Sequence, residues 1–360
     1  MQTTDFLVIG GGVIGLNIAR NLKSRYPDAS VTVIEKEQSS VHHASGRNSG
    51  VLHAGFYYSP ESLKAQFTKM GNQLLTNYCE SKHLSINRCG KLVVAKDQSD
   101  HPAMDVLLTR GRANGIALEE VTEQQAKEIE PRVKTCERAI FSPTTSTVDP
   151  NQVLDAMVTD AQQEGVTLTY GAMYQRKSGN TVATSSGEYE AGYVVNAAGL
   201  YADVVARDFG FSQRYRILPF KGLYLYSRDQ TEAFRTNIYP VPNLDNPFLG
   251  VHVTVNVHGQ SKLGPTAIPA FWREQYGGMD NFRFSELFDL LTRQAGLLRS
   301  SGFDFQRLAI QELRKYSRSR LVKLASALAQ RIDVGDYPTW GRPGIRAQLL
   351  DVQEQKLEMD

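Results

Sequence analysis

A chain of 360 residues with 41% hydrophobic side chains is long enough for about two domains with real cores and too apolar to be disordered as a whole. The near balance of 40 basic against 38 acidic side chains, a net charge of +2, removes the ground for nucleic acid or a strongly anionic surface as the main partner. Three scattered cysteines, Cys79, Cys89 and Cys136, form no CxxC pair, which excludes a disulfide framework and zinc-like spacing. No metal is therefore expected, and a reducing, cytoplasmic compartment is.

Residues 1–6 lack the basic run and long apolar stretch of a signal peptide. No window offers the roughly 18 apolar residues that span a bilayer, so a soluble protein is expected. Residues 5–9 read as a strand that runs straight into glycines. Residues 13–24 place Val13, Leu16, Ile18 and Leu22 among small and polar residues, as a helix packed on a sheet does. Residues 30–35 carry Val31, Val33 and Ile34 in an apolar run, the mark of a buried parallel strand. Together these make one βαβ unit. Residues 91–96 follow as a strand and 104–114 as a helix ended by Gly115. Thr122 and Gln125 form a capping box. Asp149 and Pro150 start a helix that reaches about 164, before Gly165. Residues 193–197 are an apolar strand leading into Ala198 and Gly199. The stretch 215–269 is β-rich, with strands at 222–226, 250–257 and 262–264. The stretch 284–332 is helical, and Leu321, Leu324, Ala325, Leu328 and Ile332 share one apolar stripe. The alternation predicts a mixed α/β chain with a discontinuous nucleotide-binding domain (1–80, 145–215 and 335–360). A β-sheet substrate domain (81–144 and 216–334) interrupts it.

Three constellations carry chemistry. In Gly10-x-Gly12-x-x-Gly15, the first glycine permits a tight turn, the second a close approach to pyrophosphate, and the third close packing of helix on sheet. The helix start at Gly12, Val13 and Ile14 offers unpaired N–H groups to phosphate. Glu35, followed by Lys36, ends the next strand twenty residues after Gly15 and suits a ribose diol while repelling a 2′-phosphate. This motif leaves FAD and NAD both open. The second constellation, 44–55, is dense in small and hydroxyl residues, including Ser45, Asn48 and Ser49. Arg47 can offset pyrophosphate charge, and His53 sits where its pKa can be tuned for proton transfer. The third, 194–203 (VVNAAGLYAD), brings a strand to Ala198 and Gly199, where main chain can pass under a cofactor.

In this order, GGGVIG, the glutamate, RNSGVLHAGFYY at 47–58 and VNAAGLYAD resemble the FAD-dependent D-amino-acid-oxidase-like oxidoreductase superfamily. Within it, 47–58, PFKG at 219–222, YPVP at 239–242, PFLGVH at 247–252, LGPTA at 263–267 and GIRAQ at 344–348 are similar to the L-2-hydroxyglutarate dehydrogenase/oxidase group. The resemblance implies a Rossmann-type FAD-binding domain with an inserted antiparallel substrate sheet. It also implies oxidation of a 2-hydroxy dicarboxylate to the 2-oxo acid, with electrons passed to oxygen or a membrane quinone. The FAD contacts would be Gly10, Gly12, Val13, Ile14, Gly15, Glu35, Lys36, Ser45, Arg47, Asn48, Ser49, His53, Ala198 and Gly199.

Hydride loss from the α-carbon requires a base for the hydroxyl proton, and His53 and His252 are the two candidates. Two carboxylates removed from water need cationic or hydrogen-bonding partners, for which Lys221, Tyr239, His252 and Arg346 are the candidates. A basic cluster, Arg314, Lys315, Arg318, Arg320 and Lys323, opens an amphipathic helix and allows peripheral contact with an inner membrane; a solvated helix face is the simpler reading. The chain stops at Asp360, where members of the resembled family continue into a strand and a glycine-containing helix entry beside the flavin ring. A looser grip on the flavin end is therefore expected. Two further readings stay open: a related amino-acid or amine oxidase, and a truncated, non-catalytic dinucleotide-binding remnant.

Overall fold

The computed structural model describes residues 1–229, 231–243, 250–300 and 305–358. Pro247, Phe248 and Leu249 of the PFLGVH stretch lie outside the described residues.

Strand β1 (Gln2–Ile9), helix α1 (Val13–Arg25) and strand β2 (Val31–Ile34) form the first βαβ unit. β1 pairs in parallel with β2 on one side and with Gly187–Asn196 on the other. Thr167–Thr169 continues the parallel sheet beyond β2. The hairpin Tyr174–Ser178 and Thr181–Thr184 extends the opposite edge antiparallel. β1 alternates its apolar side chains between two cores. Val8 packs with Leu16, Ala19, Val33, Leu154 and Met157 under α1 and the helix Pro150–Gln163. Leu7 and Ile9 pack with Ile34, Tyr189 and Val205 on the other face. Burial on both faces explains why β1 and β2 read as apolar runs rather than as alternating strands. The two helix starts form as expected. Asp149 accepts the Asn151 N–H at 2.9 Å, and Thr122 and Gln125 cap reciprocally.

The second layer is an eight-stranded sheet. Its order is Thr339–Trp340, Leu225–Tyr226, Ser261–Gly264, His252–Val255, Asn237–Pro240, Lys91–Val94, Arg138–Ser142 and Glu119–Thr122. All its pairs are antiparallel except Asn237–Pro240 with Lys91–Val94. The two-residue period of a strand splits the chemistry between its faces. Leu92, Val94, Ile238, Val253, Val255 and Leu263 face a core that includes Leu321, Val322, Ala325, Leu328 and Ile332. The apolar stripe of the C-terminal helices is thus consumed in this core, leaving Arg320 and Lys323 exposed on helix Arg318–Ala325, while Arg318 donates to the Val334 carbonyl. The other face carries Lys91, Tyr239, His252, Thr254 and Lys262, all buried.

One expectation changes here. Residues 222–226 do not form one strand, because the chain changes sheets at Leu223 and Tyr224. The Leu223 N–H donates to the Thr266 hydroxyl at 3.0 Å and the Tyr224 carbonyl accepts from Gly341 at 2.8 Å, so neither joins the ladder that ends at Gly222. Thr339–Trp340 edges the eight-stranded sheet, and Gly344–Asp351 runs antiparallel along all of Tyr215–Gly222. Among the described residues, no helix is long and apolar enough to cross a membrane.

Candidate functional site

The parallel strands end together, and their C-terminal ends build the first half of the site. Gly10 has φ +111°, and a Cβ there would lie 2.3 Å from the Ala197 carbonyl oxygen. A Cβ on Gly15 would lie 1.9 Å from the Gly10 carbonyl oxygen. Both positions therefore require glycine, and the turn from β1 into α1 is drawn tight against Ala197 and Ala198. Gly12 is the N-cap of α1, contributes no side-chain cap, and the first turn has no acidic residue. The positive end of the helix dipole is thus left for an anion. Glu35 is held beside this turn, accepting N–H bonds from Gly11 at 2.8 Å and Glu37 at 3.0 Å. Ser45 reaches across from the next loop, its hydroxyl accepting the Val13 N–H at 3.0 Å.

A chain of polar contacts closes that loop. Lys36 pairs with Glu274 at 2.7 Å and with Glu37. Burial works against the Lys36 charge, but the bonds to Glu274 and Glu37 outweigh it and raise its pKa. His43 bonds to Glu37 at 2.9 Å and to the Tyr276 hydroxyl at 2.6 Å. Arg47 lies 4.2 Å over the Tyr276 ring and donates to the Pro343 carbonyl at 3.3 Å. Asn48 shapes its own loop, donating to the Ala44 and Ser45 carbonyls and accepting from the Gly50 N–H. Asp203, at the end of the third constellation, is buried and clamped by both Arg273 terminal nitrogens at 2.7 and 2.9 Å. Burial would raise its pKa, yet Arg273 and Arg207 hold it below the usual carboxylate value.

The polar face of the eight-stranded sheet forms the other half. His252 is buried and stacks on Tyr239, with ring centroids 3.7 Å apart. Its Nδ1 shares a 2.9 Å hydrogen bond with the Gly250 carbonyl. A carbonyl only accepts, so Nδ1 carries the proton and Nε2 is the basic nitrogen. Burial drives the His252 pKa down to about 3, and the neighbouring charges of Lys91, Lys262 and Lys315 push the same way. His53 meets the edge of Tyr239 at 6.0 Å, and its Nδ1 is sealed without a hydrogen-bond partner among the described residues. Its pKa lies well below the ordinary value, through burial first and then Lys91 and His252. Both imidazoles are therefore neutral near pH 7. Lys262, lowered to about 8 by burial, donates to the Ser49 carbonyl at 2.7 Å. It ties this face to the loop that borders the glycine turn.

With this geometry in view, comparison with known proteins is decisive. The model of FAD dependent oxidoreductases matches residues 5–351. The chain belongs to that family. It is 34% identical over 353 residues to an L-2-hydroxyglutarate dehydrogenase of Escherichia coli K12, covering 96% of this chain and 82% of the relative. It is 34% identical over 365 residues to the mitochondrial L-2-hydroxyglutarate dehydrogenase of Homo sapiens, covering 96% and 78%. Among solved structures, the FAD-bound L-alpha-glycerophosphate oxidase of Mycoplasma pneumoniae superposes with a TM-score of 0.77 at 22% identity, over 99% of this chain and 85% of the other. Glycine oxidase of Geobacillus kaustophilus gives 0.70 at 20% identity, over 97% and 84%. These two show the shared mixed α/β fold.

The residues fit the cofactor of an FAD dependent oxidoreductase. The glycine cradle that a Cβ would fill, the N-terminus of α1 and Glu35 make a dinucleotide grip. The candidates converge unevenly. Gly10, Gly12, Val13, Ile14, Gly15, Glu35, Lys36, Ser45, Arg47, Asn48, Ser49, Ala198 and Gly199 lie around the strand ends, while His53, Tyr239 and His252 meet on the sheet face. Lys221 and Arg346 do not come together. Lys221 pairs across the ladder with Ile345 and Phe220 with Arg346, which sets the two cations on opposite faces of one ribbon. Lys91 and Arg273 are not among the candidates that the sequence offers. Lys91 had one signal: it shares a face with Val93 in the buried strand Lys91–Val94, where an apolar residue is the norm. Arg273 had none.

Proposed function

We propose that this chain oxidises L-2-hydroxyglutarate to 2-oxoglutarate with FAD. The observation that carries the reading is the buried, neutral His252 with Nε2 as its basic nitrogen, on a sheet face lined by lysines and tied to the cofactor loop. When bound, FAD supplies the acceptor for the hydride that leaves the substrate's C2. His252 Nε2 takes the hydroxyl proton, so that the O–H bond breaks as an N–H bond forms and C2 becomes a carbonyl carbon. Gly10, Gly12 and Gly15, with the start of α1, hold the pyrophosphate. Glu35 holds the adenosine ribose, and 44–55 and 196–199 line the flavin side. In this reading the parallel sheet is the Rossmann-type nucleotide layer and the eight-stranded sheet the substrate layer. Reoxidation is by oxygen or a membrane quinone, and the three free thiols support a cytoplasmic setting.

Anaerobic addition of L-2-hydroxyglutarate to the yellow protein is expected to bleach the flavin absorbance. Bleaching by an amino acid or glycerol phosphate instead, with no response to the hydroxy acid, overturns the assignment.

A further inference from the structure

Lys91 lies on the sheet face described above and takes no part in the proton transfer. Its side chain is fully buried, and Nζ has no hydrogen-bond or carboxylate partner among the described residues. Three rings surround it: Nζ is 4.4 Å from the centroid of Tyr57, 4.5 Å from Phe56 and 5.0 Å from Tyr239. The other two lysines that act on His252 are committed, Lys262 to the Ser49 carbonyl and Lys315 to Glu312. Lys91 alone has no oxygen to meet. Burying an ammonium this way is costly unless an anion joins it, and rings stabilise a cation only partly. Burial alone draws its pKa down to about 7.

Lys91 is not isolated in lacking a partner. The Tyr57 hydroxyl and His53 Nδ1 are also sealed and without partners. His53 and Lys91 both neighbour the Tyr239 ring, and Tyr57 forms one wall of the Lys91 cage. An ammonium and a hydroxyl, both lacking acceptors, form the donor pair that recognises a carboxylate.

We infer that Lys91 and Tyr57 form the subsite for the distal carboxylate of a dicarboxylate substrate, the carboxylate remote from the carbon that is oxidised. The inference rests on the assignment of His252 as the base. The Tyr239 ring stacks on His252 and also borders Lys91, so the cation stands one ring away from the group that takes the hydroxyl proton. That spacing suits a hydroxyl and a carboxylate held at opposite ends of a short chain, and specificity for the diacid follows from the unpaired donors a monoacid would leave behind.

The test compares glutarate with butyrate, both unreactive, by calorimetric titration of the FAD-loaded protein. Lys91→Met is expected to weaken glutarate about 100-fold and to leave butyrate within about twofold, and Lys91→Arg to retain most of the glutarate affinity. Tyr57→Phe, which keeps the ring, is expected to weaken glutarate alone by about tenfold and keeps the test open if Lys91→Met does not fold. Equal loss of both ligands in Lys91→Met, or unchanged glutarate affinity in Tyr57→Phe, overturns the subsite. Wild-type protein that binds no dicarboxylate overturns the substrate assignment as well. Normal bleaching by L-2-hydroxyglutarate with an unaffected Tyr57→Phe variant overturns the subsite only.

Discussion

At the end of β1 the chain builds a binding site from main chain; on the polar face of the eight-stranded sheet it builds one from side chains. The first is made of turn geometry, a helix terminus and excluded Cβ atoms, all within residues 10–15 and one carboxylate. The second is collected from residues 91, 239, 252 and 262, which strand order brings together, and from residues 53 and 57, which pack onto them from outside the sheet. A backbone site tolerates almost no change at its glycines and is indifferent to many side chains around it. A side-chain site behaves the other way, since each group carries a separable share of binding or proton transfer.

The largest test of that contrast is Gly15→Val. Its Cβ would collide with the Gly10 carbonyl, so the expected product is folded protein that carries no FAD, measured as loss of the visible flavin band with retained circular dichroism. A yellow Gly15→Val protein would break the comparison at its firmest point. Next is His252→Gln, which removes the base while leaving the cradle intact. Its kcat should fall by about 10²–10⁴-fold with FAD content unchanged, as removal of a general base does. Retained turnover would move the base to His53.

Asp203→Ala probes the buried clamp at the end of the third constellation. It leaves Arg273 buried without its carboxylate, and the expected loss is about 3–5 kcal/mol in urea unfolding. A loss below about 1 kcal/mol would show that the clamp is replaceable. The last test is in pH. His252 has a folded pKa of about 3 against an ordinary 6.5, so the unfolded chain binds a proton between those values that the native site refuses. Stability therefore falls as pH drops through this window, by about 1.4 kcal/mol per pH unit for that proton. His252→Gln is expected to flatten the slope by one proton. An unaltered slope would mean that this imidazole titrates normally in the native protein.

The contrast also explains what could be read from residues alone. Gly10, Gly12, Gly15 and Glu35 were legible because backbone geometry ties each to a fixed offset from a strand end. The helices starting at Asp149 and Thr122 were legible for the same reason, as caps are local. The sheet face was not, because nothing in the order Lys91, Tyr239, His252 announces that Lys91–Val94 lies in parallel beside Asn237–Pro240. Lys221 and Arg346 failed to meet for a complementary reason: each suited a carboxylate, but the ladder joining their strands faces them apart. The passage between sheets at Leu223 and Tyr224 depends on Thr266 and Gly341, distant in the chain, so local pattern could not locate it.

The Lys262 tie to the Ser49 carbonyl has a consequence for how the two halves communicate. Ser49 belongs to the loop that borders the glycine turn, and Lys262 stands on the strand next to His252. By thermodynamic reciprocity, whatever coupling this strut carries from cofactor to diacid it carries back with the same magnitude and sign, so that each is an effector of the other across a single ammonium-to-carbonyl bond.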